Sequence, residues 1–155
     1  MSETLVGQSA PDLALETTGG RTVNLSQLKG QSLIVYFYPK DNTPGCTQEG
    51  RDFTALHKQV QAGGGEIFGV SKDSLKSHEN FKSKQKYTFD LISDPDGKLC
   101  HAFDVIKEKS FMGKSYIGID RSTFVIDKSG TIVKEWRSVK VKGHAQEVLD
   151  FLKTL

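Results

Sequence analysis

The sequence contains little cysteine, little proline and no long hydrophobic run. Its 155 residues include two cysteines, four prolines and one tryptophan. Two cysteines that lie 54 positions apart cannot build a disulfide framework, so we expect free thiols in a reducing compartment. No apolar run exceeds the length of one strand, which excludes a transmembrane helix. Residues 1–4 have neither the basic start nor the apolar stretch of a signal peptide, and we therefore expect a cytoplasmic protein.

The sequence also lacks an excess of charge of either sign. The 21 basic and 19 acidic residues are interspersed and leave a net charge of +2 at pH 7, so we expect neither nucleic acid nor a membrane as a partner. The length predicts a single domain over residues 1–155. No glycine-rich nucleotide motif follows a predicted strand, and the histidines share no metal-ligand spacing. We accordingly expect no cofactor and no metal.

Hydrophobic periodicity predicts alternating strands and helices. Strands are expected at residues 13–16, 22–25, 33–38, 66–71, 89–93, 121–127 and 131–136. Helices are expected at 47–61, from the cap at 73–74 to 84, at 98–104 and at 143–155, and residues 107–118 are expected to be irregular. The first two strands read as an N-terminal hairpin and the last two as another. This order indicates an α/β fold with a mixed central sheet flanked by helices.

Cys46 is the most informative residue of the chain. It follows the apolar strand that ends at Tyr38, and it lies in the first turn of the next predicted helix. The unpaired backbone N–H groups and the positive end of the helix dipole favour a thiolate at such a place. A buried structural cysteine would gain nothing from Pro44 and Gly45 beside it. We therefore interpret Cys46 as a redox nucleophile.

Several motifs together resemble the peroxiredoxins of the bacterioferritin-comigratory (PrxQ) branch. Pro39, Thr43 and Cys46 match the family signature Pro-x-x-x-Thr-x-x-Cys, and Arg121 opens a block, Arg-Ser-Thr-Phe, that is similar to a later family block. Further similar segments lie at residues 10–12, 69–74, 91–97 and 139–144. The resemblance spans nearly the whole chain. It implies a thioredoxin-like fold, a monomer and a thiol-dependent peroxidase acting on hydrogen peroxide and organic hydroperoxides.

The resemblance also implies a role for four residues. Cys46 would attack the peroxide as a thiolate and become a sulfenic acid. The Thr43 hydroxyl would hydrogen-bond the peroxide, and Pro39 would shield the thiolate from water. Arg121 would stabilise the thiolate and the developing negative charge. No spacing rule places Arg121 near Cys46.

The step after the sulfenic acid departs from the commonest pattern of that branch. Many relatives carry a resolving cysteine five positions after the first, and others carry one in the next helix, where this chain has Arg51 and Lys82. We interpret the remaining cysteine, Cys100, as a small buried hydrophobe. The expected mechanism is therefore one-Cys, with an external thiol (glutathione, a thioredoxin or a glutaredoxin) as reductant. A Cys46–Cys100 disulfide after partial helix unwinding is the alternative.

Other hypotheses remain open at this level. A thioredoxin-type oxidoreductase is disfavoured because Cys46 has no Cys-x-x-Cys partner. A slow redox sensor would use the same Cys46 chemistry. Arg51 is either a surface charge or an attractor for an anionic thiol, and residues 107–116 are either a solvated loop or an apolar rim that docks a reductant or bulky hydroperoxide. His144 is expected at the surface or as a helix cap.

Overall fold

The computed structural model of the protein describes residues 4–155. Its strands are β1 Ala14–Thr17, β2 Arg21–Asn24, β3 Ser32–Phe37, β4 Gly65–Ser71, β5 Asp90–Ser93, β6 Ile106–Phe111, β7 Lys114–Ile119, β8 Ser122–Ile126 and β9 Ile132–Trp136. Its α-helices are α1 Pro44–Ala62, α2 Leu75–Gln85, α3 Lys98–Ala102 and α4 His144–Leu152. A short 3-10 turn, Leu25–Gln27, follows β2. Within residues 4–155, none of these helices is long and apolar enough to cross a membrane.

The main sheet is mixed, as predicted. Its seven strands in the described residues lie in the order β2-β1-β5-β4-β3-β8-β9. Strands β3, β4 and β5 run parallel to one another, while the β1–β2 hairpin and the β8–β9 hairpin pair antiparallel at the two sides. Every residue of β3 is buried, as its uninterrupted apolar sequence predicts for a central strand covered on both faces.

The sheet separates two hydrophobic cores. Side chains alternate along a strand, so β3 sends Leu33 and its alternate neighbours to one face and Ile34 and its alternate neighbours to the other. The first core contains Cys100 and Phe103. The second core contains Cys46 together with the inward sides of α1 and α4. The two cysteines therefore lie in different cores, on opposite faces of the sheet.

The prediction of an irregular segment at residues 107–118 is wrong. Strands β6 and β7 form a hairpin with the register Ile106↔Ile119 to Phe111↔Lys114, outside the main sheet. Its two-residue turn, Met112-Gly113, has the positive φ values (51° and 79°) that such a turn requires. The apolar alternation that marks a strand is weak here because only the base of the ribbon packs on the first core, through Ile106 and Ile119, while most of its other residues are exposed.

Candidate active site

Cys46 is the third residue of α1, as the strand-to-helix pattern predicts. Pro44 opens the helix, where its fixed φ fits and its missing N–H costs nothing. The first helical hydrogen bond runs from the Thr47 N–H to the Thr43 carbonyl oxygen (2.9 Å). The N–H groups of Gly45 and Cys46 precede that bond and remain available to an anion at the sulfur. The Cys46 side chain faces the second core, and the residue is 2% exposed.

Arg121 lies directly against this sulfur. Its Nη2 donates to Cys46 Sγ at 3.3 Å, and its Nη1 donates to Glu49 Oε1 at 2.6 Å. The sheet register explains the contact: Phe37 of β3 pairs with Ser122 of β8, so the preceding residue, Arg121, lies beyond the end of β3, where the chain turns into α1. A Cβ on Gly45 would come within 3.2 Å of Arg121 Nη2, so a glycine at this position permits the close approach.

The guanidinium of Arg121 is held in its charged form. Burial would lower the pKa of Arg121, but the nearby Glu49 carboxyl and the Cys46 sulfur outweigh burial and raise it. Only 16% of the side chain is exposed, so its charge acts on the sulfur with little screening by water.

Glu49 is a site residue that the sequence analysis missed. It lies one helical turn after Cys46 on the same face of α1 and is buried. Burial raises the pKa of Glu49 to about 7, although the Arg121 guanidinium acts to lower it. Its Oε2 has no hydrogen-bond partner within the described residues. In the sequence, the signal that could have identified Glu49 was its position three residues after Cys46.

Asp41 fixes the loop that leads into α1. Its carboxylate accepts hydrogen bonds from Tyr38 Oη (2.6 Å), Ser77 Oγ (2.7 Å) and His78 Nδ1 (2.8 Å). Burial would raise the pKa of Asp41, but these three hydrogen bonds and the His78 charge lower it overall. His78 Nε2 lies 2.9 Å from the Ile92 carbonyl oxygen, so both ring nitrogens have buried hydrogen-bond partners. The buried contact between Asp41 and His78 thus joins the loop to α2.

The same pair belongs to the group of potential metal ligands found in residues 4–155, which is Asp41, Asp73 and His78. Asp73 Oδ2 accepts from the Asp41 N–H (2.9 Å) and from Ser71 Oγ (2.6 Å). Each ligand atom already has a protein partner, so we assign the group to the hydrogen-bond network that shapes the loop.

The other two predicted site residues border the sulfur-bearing turn. Thr43 is half-buried at the N-cap of α1, and its Oγ1 donates to the Lys40 carbonyl oxygen at 3.0 Å. Pro39 follows β3 and is exposed. Cys46 and Arg121 are brought into contact, while Thr43 and Pro39 lie on the chain that enters the turn.

Comparison with known proteins agrees with this arrangement. The family model described as the AhpC/TSA family matches residues 6–135. The chain belongs to the AhpC/TSA family. Within it, the resemblance to the Bcp (PrxQ) peroxiredoxins is confirmed, and the protein is a peroxiredoxin, an enzyme that reduces hydroperoxides through a thiol.

Three relatives illustrate how close the match is. The Peroxiredoxin Bcp of Xanthomonas campestris is 54% identical over 142 residues, which cover 92% of this chain and 89% of the relative. A structure of the X. campestris bacterioferritin comigratory protein, concerned with its alkyl peroxide reduction activity, is 50% identical with a TM-score of 0.90 and covers 96% and 95% of the two chains. A PrxQ mutant from Xylella fastidiosa is 46% identical with a TM-score of 0.94 and covers 99% and 98%. The thioredoxin-like fold of this peroxiredoxin is thereby confirmed.

Both positions at which other peroxiredoxins of this branch were expected to carry a second cysteine are charged here. Arg51 is exposed on α1, and its Nε donates to Gln85 Oε1 at 3.2 Å. Lys82 on α2 donates from Nζ to Asp90 Oδ1 at 2.7 Å. Both side chains are therefore hydrogen-bonded to neighbouring side chains on α2 and β5.

Cys100 is fully buried in the first core, on the opposite face of the sheet from Cys46. It is 0% exposed, and its backbone N–H donates to Asp94 Oδ2 at 2.8 Å. Burial, followed by the contact with the Asp94 carboxylate, raises the pKa of the Cys100 thiol well above its ordinary value. A thiol in this environment stays protonated and is a poor nucleophile.

The placement of His144 at the surface is wrong. It is buried at the start of α4, its Nε2 hydrogen-bonds Thr123 Oγ1 (2.8 Å), and the rings of Phe53 and Trp136 meet it edge-on. Burial lowers the pKa of His144. An amphipathic helix that begins with a histidine on its apolar side brings that histidine into the core.

Proposed function

We propose that this peroxiredoxin reduces hydrogen peroxide and organic hydroperoxides through Cys46, and that an external thiol then resolves the oxidised cysteine. The observation that carries the proposal is the 3.3 Å contact from Arg121 Nη2 to Cys46 Sγ at the N-terminus of α1. A buried sulfur beside a charged guanidinium and two free backbone N–H groups is equipped to react as a thiolate.

In the first step the Cys46 thiolate attacks one peroxide oxygen. The S–O bond forms as the O–O bond breaks, and the leaving oxygen takes up a proton to become water or an alcohol. Arg121 stabilises the thiolate before the attack and the negative charge on the leaving oxygen during it. Glu49 holds the second arm of the guanidinium and so fixes its orientation.

Thr43 and Pro39 complete the proposed peroxide pocket. The Thr43 hydroxyl proton is directed to the Lys40 carbonyl, which leaves its oxygen lone pairs to accept the O–H of a hydroperoxide. Pro39 at the end of β3 limits access of water to the sulfur. Neither residue exchanges atoms with the peroxide: Thr43 orients it, and Pro39 keeps water from the sulfur.

The one-Cys mechanism rests on the position of the second thiol. Cys100 lies in the opposite core and its thiol is protonated, so a Cys46–Cys100 disulfide would require one of the two to leave its core. An external thiol instead attacks the sulfenic acid, releases water and leaves a mixed disulfide. A second thiol then frees Cys46 as a thiol. Glutathione, a thioredoxin or a glutaredoxin can supply both.

Substitution of each cysteine tests this proposal. We expect Cys100→Ser to retain steady-state turnover with dithiothreitol, glutathione–glutaredoxin or thioredoxin as reductant, and Cys46→Ser to lose it. Loss of turnover in a folded Cys100→Ser protein would overturn the one-Cys mechanism. Turnover that stays slow with every thiol, despite rapid oxidation of Cys46, would favour the sensor hypothesis.

The proposal includes the state and place in which the enzyme works. We expect one domain over residues 1–155 that acts as a monomer in the cytoplasm, where reducing thiols are available. Sedimentation velocity of the reduced and the peroxide-treated protein tests the monomer. A dimer in either state would contradict it.

A further inference from the structure

Tyr87 lies against the turn that carries Cys46. It follows α2, after Lys86 in the left-handed conformation, and it is buried. Its ring stacks on Phe89 at a centroid distance of 5.5 Å and meets Phe81 edge-on at 5.1 Å. These contacts fix the direction in which its hydroxyl points.

That hydroxyl is bonded to the first turn of α1. Tyr87 Oη donates to the Thr47 carbonyl oxygen at 3.0 Å and lies 3.5 Å from the Cys46 carbonyl oxygen. Both carbonyls belong to the turn that positions the sulfur. The hydrogen bond therefore ties this turn to the end of α2.

Gly50 makes the contact possible. A Cβ at Gly50 would lie 2.2 Å from Tyr87 Cζ and 2.3 Å from Oη, so any side chain here would displace the ring. Glycine is a poor helix former, and its presence weakens α1 one turn after Cys46. The start of α1 therefore has low intrinsic helix stability, and the hydrogen bond from Tyr87 Oη stabilises it from outside the helix.

Opening of this turn matters for the second half of the proposed reaction. Cys46 is 2% exposed, so a protein thiol can reach its sulfur only when the turn opens. Reaction with the protein thiol forms an S–S bond and releases the sulfenic oxygen as water. A second small peroxide needs no opening; it forms another S–O bond, breaks its own O–O bond and leaves a sulfinic acid and water.

We propose that Tyr87 is a positioning residue whose hydroxyl, seated over Gly50, holds the first turn of α1 closed and thereby sets how the Cys46 sulfenic acid divides between reduction by a protein thiol and further oxidation. This inference rests on the proposed function. It adds to the peroxide chemistry a control that acts through the helix backbone.

Tyr87→Phe tests the inference because it keeps the ring on Gly50 and removes only the hydroxyl. We expect the backbone amides of residues 47–51 to exchange with deuterium about twofold to tenfold faster, which corresponds to the net free energy of one intramolecular hydrogen bond. Sulfinic acid formed per turnover, with a thioredoxin as reductant and mass spectrometry as readout, should fall by the same factor. The rate of the first oxidation by hydrogen peroxide should not change.

Two further variants keep the experiment decisive. Thr22→Val, which removes an exposed hydroxyl on β2, is the control and should change none of these quantities. Gly50→Ala should speed exchange in residues 47–51 as Tyr87→Phe does; if circular dichroism shows that this variant is unfolded, Tyr87→Phe decides alone. Faster exchange throughout β3 and α4 as well would indicate general destabilisation and overturn the inference.

The outcomes separate the inference from the function on which it rests. Unchanged exchange of residues 47–51 in Tyr87→Phe would overturn the inference even if the wild-type enzyme turns over. A wild-type protein that consumes no peroxide with any thiol would refute the proposed function, while the exchange experiment would still decide whether Tyr87 holds the turn.

Discussion

Glu49→Gln is expected to change how the stability of the protein depends on pH. The glutamine keeps the size of the side chain and an oxygen that can accept from Arg121 Nη1, but it cannot ionise. In the wild type, burial raises the pKa of Glu49 from an ordinary 4.5 to about 7. The folded protein therefore holds the Glu49 proton at pH values where the unfolded chain has released it.

The sign and size of the effect follow from this difference. As pH rises from 4.5 towards 7, the unfolded state loses its proton first, so the free energy of unfolding falls, and the loss levels off above about pH 7. At about 1.4 kcal/mol per pH unit, the separation corresponds to a loss of about 3 kcal/mol. The Glu49 side chain is 2% exposed, so screening by solvent reduces this free energy only slightly.

Urea unfolding at about pH 5 and about pH 8 measures this change in the free energy of unfolding. We expect the wild type to lose about 2.5 kcal/mol relative to Glu49→Gln between these pH values, because part of the effect has already occurred at pH 5. Glu16→Gln, an exposed glutamate on β1, is the control and should follow the wild type. Parallel stability curves for wild type and Glu49→Gln would refute the reasoning that Glu49 titrates near neutral pH because it is buried.

Three other predictions concern the sulfur, the loop and the hairpin. Arg121→Lys replaces the two-armed guanidinium with a single point charge, so competition kinetics should show peroxide reduction slower by about 10²-fold. Asp41→Ala leaves Tyr38, Ser77 and His78 without their shared buried acceptor and should lower the free energy of unfolding by about 3 kcal/mol in urea; a loss below about 1 kcal/mol would contradict a structural role for this network. The double variant Phe111→Ser/Met112→Ser removes exposed apolar groups from the hairpin tip and should lower kcat/KM for a thioredoxin about tenfold without affecting dithiothreitol; equal values would contradict docking at the hairpin.

The hairpin prediction follows from the exposure and charge of that ribbon. Phe111 is 68% and Met112 is 86% exposed, although both are apolar. The cross-strand pairs Lys109↔Tyr116 and Phe111↔Lys114 place two lysines and two aromatic rings on one face. An exposed apolar and basic face suits a partner with an acidic, partly apolar surface.

The position of Cys46 could be predicted because it depends on local signals. An apolar run predicts β3, and Pro44 with the periodic residues after it predicts α1, so the thiol falls in a first turn whatever the rest of the fold is. The contact with Arg121 could not be derived in the same way. It arises from the antiparallel pairing of β3 with β8, which brings together residues 75 positions apart, and only the resemblance to a family indicated it.

The residues that were missed or misplaced act through tertiary contacts. Tyr87 matters because its ring lies over Gly50, and a glycine inside a helix pattern does not reveal which residue occupies its free space. His144 belongs to the core because of how α4 docks, not because of its own polarity. The β6–β7 hairpin escaped prediction because a ribbon that packs on the core only at its base, through Ile106 and Ile119, lacks the apolar alternation on which strand prediction depends.

The central claim is that Cys46 is oxidised by peroxide and is not resolved within the chain. Intact mass spectrometry after about one equivalent of hydrogen peroxide, with and without a sulfenic-acid trap, tests it most directly. The account predicts a trapped adduct that maps to Cys46, with Cys100 unmodified. A product two hydrogens lighter that maps to a Cys46–Cys100 disulfide, or a protein that remains unmodified at that dose, would contradict it.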